Sequence, residues 1–279
     1  MTYRLSLAGV TMGEAEIQPD KVLAINPGQV FGTLKGFKTV DPAFGLEAYW
    51  IASKEKEQAQ SLGFTVVDPS TVVATHLSKI LEECSAQLLG YEETQQLLDK
   101  LAVNSPKLVK ELVPDLLSLG TVTKVLQALL SEQIPLTDIR TIVETLADSA
   151  QKTKDPTELL TPVRVSLARM ITQRIVDVGV DLPIITLNPE LEGILTNAVK
   201  SSEQGGAGIE PNMAENLQKS LQTIYNEQEK KQQPAVLVVQ PLVRTLLARF
   251  VRNISSNMHV LSYHKIPDNK QVTIVGTVG

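Results

Sequence analysis

The chain has 279 residues, 43% of them hydrophobic, and a formal net charge of -5, enough for two or more domains with cores of their own. Its dispersed, net acidic charge argues against a nucleic-acid footprint. The single cysteine, Cys84, excludes an intrachain disulfide and a cysteine-based metal cluster and fits a reducing compartment.

Aromatic residues make up 4% of the chain, so its cores must be aliphatic. No apolar run approaches the roughly 20 residues of a transmembrane helix. The opening MTYRLSLAGV lacks the charged-then-apolar layout of a secretory signal.

In chain order, YRLSL and the residues after it alternate as a strand does up to Gly9 and Gly13. KVLAI (21–25) reads as a short apolar strand stopped by Asn26-Pro27-Gly28, a turn signal. The next stretch, residues 31–52, reads as a Gly- and Pro-broken loop. It carries Phe31, Phe37 and Phe44, which are three of the five phenylalanines, and ends in an apolar strand, AYWIA (48–52). Rings in such a loop either fill a pocket beneath it or face a partner. Ser53 is a candidate N-cap for a helix over 54–62 with Gly63 at its C′ position, and FTVV (64–67) is a further strand.

Asp68-Pro69-Ser70 opens a helix to about Leu89. Val73, Leu77, Ile80, Leu81, Cys84 and Leu88 share one face at helical spacing, which puts Val72 and Thr75 on the opposite side. Residues 90–168 are helical in pattern, with helices near 91–102, 106–118, 121–132, 138–150 and 156–175. Pro106 suits a first turn, and Thr137 is a candidate N-cap. From about 169 the pattern turns α/β. Strands are expected at 183–187, 235–239, 259–263 and 271–276, with helices at 189–201, 212–231 and 242–254. GGAG (205–208) reads as a linker between the first two of those helices.

Catalytic motifs find no support. GGAGIEP (205–211) lacks the GK[ST] of a phosphate loop and follows no strand directly. His76, His259 and His264 have no metal-ligand spacing, and no serine sits in a GxSxG elbow. Asp41 and Asp68 each precede a proline, which marks them first as turn or cap residues. Arg244, Arg249 and Arg252 fall on an amphipathic helix that reads as core plus solvated face. No cofactor, metal or enzymatic activity is expected.

Several runs carry a resemblance. LAINPG (23–28), KTVDPAFGLEAYWI (38–51), TVVDPSTVVATHL (65–77), PKLVKELVPDLLSLGTVTKVLQALL (106–130) and IRTIVETLAD (139–148) resemble, in order, the cytosolic part of the type III secretion export-gate family, also called FHIPEP. The details favour its flagellar branch over its virulence branch. The resemblance weakens in the C-terminal third.

The resemblance implies a multi-subdomain architecture of α/β and α parts: interleaved small α/β subdomains, a helical subdomain and a C-terminal α/β subdomain. Here these are expected at 1–19 with 69–89, at 20–68, at 90–168 and at 169–279. The chain is accordingly read as a fragment or a truncated gene product, since the family carries a multi-span membrane part ahead of the cytosolic one. The implied function is a docking platform at the cytoplasmic face of the bacterial inner membrane. It binds export chaperone–substrate complexes and orders late-substrate export. Other implied partners are proteins of the export apparatus and its ATPase complex, and further copies of the chain in a nonameric ring.

In the family, chaperones dock in a hydrophobic dimple between the first two subdomains. Carried over by the matching runs, it maps to Asp41, Phe44 and Thr75, surrounded by Ile25, Pro27, Leu46, Val67 and Val72. The residues alone leave open that Asp41 and Phe44 only hold their loop. A regulatory, ligand-sensing α/β module is the alternative class and would require a pocket with convergent polar groups in residues 169–279. An enzyme fragment would require clustered titrating residues.

Overall fold

A computed structural model describes residues 1–203, 210–252, 254–255, 257–267 and 270–279. The GGAG linker and most of GGAGIEP lie outside the described residues. The chain divides into two compact units, Met1–Leu88 and Leu89–Gly279.

The first unit opens with β1 (Thr2–Leu7) and β2 (Val10–Glu16), an antiparallel hairpin. Ala8 and Gly9 turn it in left-handed conformation, with φ of 48° and 83°. Then come β3 (Lys21–Ile25), β4 (Phe37–Val40), β5 (Glu47–Ala52), α1 (Lys56–Ser61), β6 (Thr65–Val67), α2 (Pro69–Glu83) and α3 (Ser85–Leu88). Strands β3 to β6 form one antiparallel sheet in the order β4-β5-β3-β6. One face packs Val22, Ala24, Ile51, Ala59 and Phe64. The other packs Leu23, Ala48, Val72 and Trp50, the chain's single tryptophan.

Four details depart from the sequence reading. Phe37 is not in a loop: Phe37–Val40 pairs with Glu47–Trp50, so the expected loop contains an edge strand. Ser53 does not cap a helix. It begins a 3-10 turn whose preceding residue, Ala52, donates its backbone N–H to Glu55 at 3.1 Å. The long helix breaks at Cys84, between α2 and α3.

The fourth departure is the largest. The buried stripe of α2 is Val72, His76 and Ile80, while Leu77 and Leu81 are exposed. Val72 therefore belongs to the core and not to the off-core side. The reason is local: the sheet takes Val72, and the hairpin takes His76 and Ile80 through a glycine, Gly13. A count of apolar residues misses a face in which a histidine holds a core position.

In the second unit, α4 (Tyr91–Ala102), α5 (Pro106–Lys110), α6 (Leu119–Ser131), α7 (Ile139–Ser149), α8 (Pro156–Ser166) and α9 (Ala168–Ile175) precede the sheet. Three readings change here. Pro114 interrupts the helix expected over 106–118, with Val113 extended (φ −127°, ψ 122°), as a residue before proline prefers. The helix expected over 156–175 breaks at Leu167. The cap of α7 is Asp138, which accepts from the Thr141 N–H at 3.2 Å, and not Thr137.

The sheet is parallel: β7 (Leu182–Leu187), α10 (Pro189–Glu203), α11 (Pro211–Lys230), β8 (Ala235–Val239), α12 (Pro241–Arg252), β9 (Met258–Ser262) and β10 (Val272–Val278), in strand order β10-β7-β8-β9. AVLVV is buried throughout, as a strand covered on both faces must be. Val236 and Val238 join the core of the preceding helices. Ala235, Leu237 and Val239 alternate onto the other face, with Leu195, Leu217 and Val243.

A charged cluster ties helices to sheet inside this unit. The Glu132 carboxylate accepts from Arg164 and, at 2.9 Å, from Arg244. Both arginines are 2% exposed, and Arg164 also reaches the Val260 carbonyl at 3.3 Å. Burial lowers the Arg164 guanidinium to about 10, against the pull of Glu132 and with the repulsion of Arg244.

Candidate functional site

The turn between β4 and β5 is built around Asp41. Its backbone N–H donates to the Leu46 carbonyl at 2.8 Å, its carbonyl accepts from Gly45 at 2.9 Å, and its Oδ2 accepts from the Phe44 N–H at 2.8 Å. Pro42 suits the second position of such a turn. Gly45 takes φ of 70°, which a side chain would strain. Asp41 is 3% exposed, whereas Phe44, one turn position away, is 59% exposed. The turn thus spends a buried carboxylate on holding a phenylalanine outward.

The strand that follows the turn contributes Ala48 and Trp50 to an apolar cluster. Ile25 and Val67 are half-buried against Val72, Leu23, Ala48 and Trp50. Ile25 stands across from Ala48 on one side and Thr65 on the other, and Val67 pairs with Leu23. Leu46 and Pro27 are exposed. Thr75 is half-buried and stands three residues beyond Val72, hence beside it on the helix.

The structure therefore brings Ile25, Val67 and Val72 into one cluster, and Asp41, Phe44 and Leu46 into one turn. Val72 serves that cluster as a core residue and offers no open surface. On the same hairpin Glu47 accepts from Lys38 at 2.6 Å and from the Tyr49 hydroxyl at 3.0 Å. The Lys38 hydrogen bond, then that of Tyr49, holds the Glu47 carboxyl below its ordinary value.

Two residues outside the expected set meet at α2, next to Thr75. The Tyr3 hydroxyl and His76 Nδ1 are 2.7 Å apart, with their rings edge to face. Burial first, then the Asp41 carboxylate, raises the Tyr3 pKa. No motif marks Tyr3. For His76 the usable signal was its place four residues after Val72.

Among the described residues no group of three or more His, Cys, Asp or Glu side chains could hold a metal ion. Two clefts flank α9. One, about 240 Å³, is lined by Gln173, Arg174, Ile175, Val176, Asp177 and Val180. The other, about 170 Å³, is lined in part by Arg169, Thr172 and Lys270. Both are smaller than the ~300–1,000 Å³ usual for ligand pockets.

The sequence profile of the FHIPEP family matches residues 1–271. The flagellar biosynthesis protein FlhA of Salmonella typhimurium is 46% identical over 277 residues, covering 99% of this chain and 40% of that protein. The chain thus spans about two fifths of the length of the curated relatives it matches. The structure of the Chlamydia pneumoniae CdsV and CdsO protein complex includes a chain that superposes with a TM-score of 0.87. It is 25% identical, covering 100% of this chain and 80% of that one. The nonameric SctV-C of EPEC, solved by cryo-EM, gives a TM-score of 0.80 at 22% identity, over 99% of this chain and 83% of that one. This last likeness speaks for the fold alone.

Proposed function

The chain belongs to the FHIPEP family, and we propose from that premise that it forms the cytosolic docking platform of a flagellar type III protein-export gate. In this reading it receives export chaperone–substrate complexes and orders the export of late substrates. The observation that carries the reading is Phe44. A 59% exposed phenylalanine, held outward by a buried aspartate beside an apolar cluster, is what an anchor for a partner helix requires. Asp41, Phe44 and Thr75 form the centre of the site. Ile25, Pro27, Leu46 and Val67 form its apolar surround, and Val72 supports it from below.

The same reading places the whole protein in the bacterial inner membrane with this part on the cytoplasmic side. It also gives the chain a ring of nine copies, as in the nonameric EPEC SctV-C, and contact with other export-apparatus proteins, as in the CdsV–CdsO complex. The flagellar branch is preferred over the virulence branch because the 46% identical relative is a flagellar protein, whereas the CdsV chain reaches 25%. Titration with a purified flagellar export chaperone bound to its substrate tests the proposal. Saturable binding that a virulence-type chaperone complex does not reproduce is expected. Absence of binding by the flagellar complex overturns it.

A further inference from the structure

A two-stranded hairpin is marginal by itself, yet β1 and β2 are fastened closely to α2. The Tyr3 hydroxyl lies 2.7 Å from His76 Nδ1, and the two rings meet at 5.7 Å and 71°. On the partner strand, a Cβ at Gly13 would stand 2.4 Å from Ile80 Cδ1 and 2.8 Å from His76 Nε2. Glycine is what lets the hairpin backbone lie against the helix. His76 is 6% exposed, so the hairpin, through Tyr3 and Gly13, holds a polar ring in a core position of α2.

Consequences follow for the docking site. His76 directly follows Thr75 and is four residues from Val72, so whatever fixes His76 fixes the rotation of α2 and the direction of Thr75.

We propose that the β1–β2 hairpin is a brace for the docking site. Tyr3, His76 and Gly13 are positioning residues that set the rotation of α2 and so the direction in which Thr75 is presented. The inference rests on the docking reading above, and its test separates the two.

Four variants serve: Tyr3→Phe, which deletes the hydroxyl; Gly13→Ala, which pushes the hairpin from the helix; His76→Leu, which removes the ring nitrogens; and His76→Asn, which keeps an acceptor near the place of Nδ1. Affinity for the purified chaperone–substrate complex and NMR exchange of the Thr75 amide are measured for each, with Phe44→Ala as the affinity control.

Tyr3→Phe should weaken binding about 2- to 10-fold, the worth of one hydrogen bond, and should speed exchange of the Thr75 amide. Gly13→Ala and His76→Leu should do at least as much, and His76→Asn should retain most of the wild-type behaviour. If Phe44→Ala loses affinity while Tyr3→Phe and Gly13→Ala keep wild-type affinity and exchange, the brace is overturned. If His76→Asn and His76→Leu lose affinity equally, the Tyr3–His76 bond is not the brace. If Phe44→Ala keeps its affinity, the docking reading has failed. The brace then stands or falls on whether Tyr3→Phe and Gly13→Ala speed exchange at Thr75.

Discussion

Replacing Phe44 with alanine separates an anchor from a loop filler. Phenylalanine exposes about 200 Å² when fully open, so a residue 59% exposed offers roughly 120 Å² for a partner to cover. At about 25 cal/mol per Å² this comes to ~3 kcal/mol, on the order of 100-fold in affinity. Such a value lies in the range of a central anchor, which costs about 2 kcal/mol or more on truncation. Phe44 is exposed and belongs to neither apolar core cluster of its unit. The stability change should therefore stay near the roughly 0.5 kcal/mol of ordinary surface substitutions. Calorimetric titration with the chaperone–substrate complex, paired with melting of the free chain, reads both quantities. Unchanged affinity would refute the anchor. So would a loss of affinity that merely follows a loss of stability, because the ring would then be holding its own loop.

Asp41→Ala should weaken binding in the same direction, since it strips the acceptor from the Phe44 amide, with Asp41→Asn milder because it keeps an oxygen there; equal affinities for wild type and Asp41→Ala would detach the turn from docking. Glu132→Gln leaves Arg164 and Arg244 buried without their shared carboxylate. Breaking a buried pair costs about 3–5 kcal/mol, so melting of the Leu89–Gly279 unit should fall by roughly 6–20 °C for a unit of that size. A shift under about 2 °C would show that the cluster is not holding helices to sheet. Burial first, then Arg164 and Arg174, lowers the His259 pKa from its ordinary 6.5. The unfolded chain therefore binds the proton more readily, and stability of this unit should fall as pH drops below about 6.5. Denaturant midpoints at about pH 7.5 and pH 5.5 should differ less in His259→Gln than in wild type.

Regular elements with strong patterns were readable without coordinates. KVLAI and AVLVV are strands with the expected bounds, and the helix over 91–102 is α4. Composition does less well where a tertiary neighbour decides. Phe37–Val40 is a four-residue edge strand that pairs on one side, so its exposed Phe37 and Val40 leave no alternation to detect. His76 looked polar, and its core position depends on a hairpin more than 60 residues away that approaches through Gly13. For the same reason Val72 was placed on the wrong side of its helix. Val113-Pro114 did carry a signal, the bias of a pre-proline residue against helix, which a long apolar period concealed. The Glu132, Arg164 and Arg244 cluster was not readable, since its arginines lie 32 and 112 positions from the glutamate. At the candidate site the Asp-Pro pair announced a turn, and Asp41 is the residue that closes it. What no pattern could give was the division of labour there: a carboxylate buried and a phenylalanine exposed.

Trp50 gives the first unit an optical handle that the second lacks. It is the chain's single indole, 3% exposed, and it packs in one cluster with Val72. Indole fluorescence therefore reports the fate of Met1–Leu88, while far-ultraviolet circular dichroism draws chiefly on the helices of Leu89–Gly279. Melting followed by both signals would resolve whether the two units unfold as one cooperative block or in sequence. The emission maximum would register any loosening around Trp50 when a partner docks, without an added label.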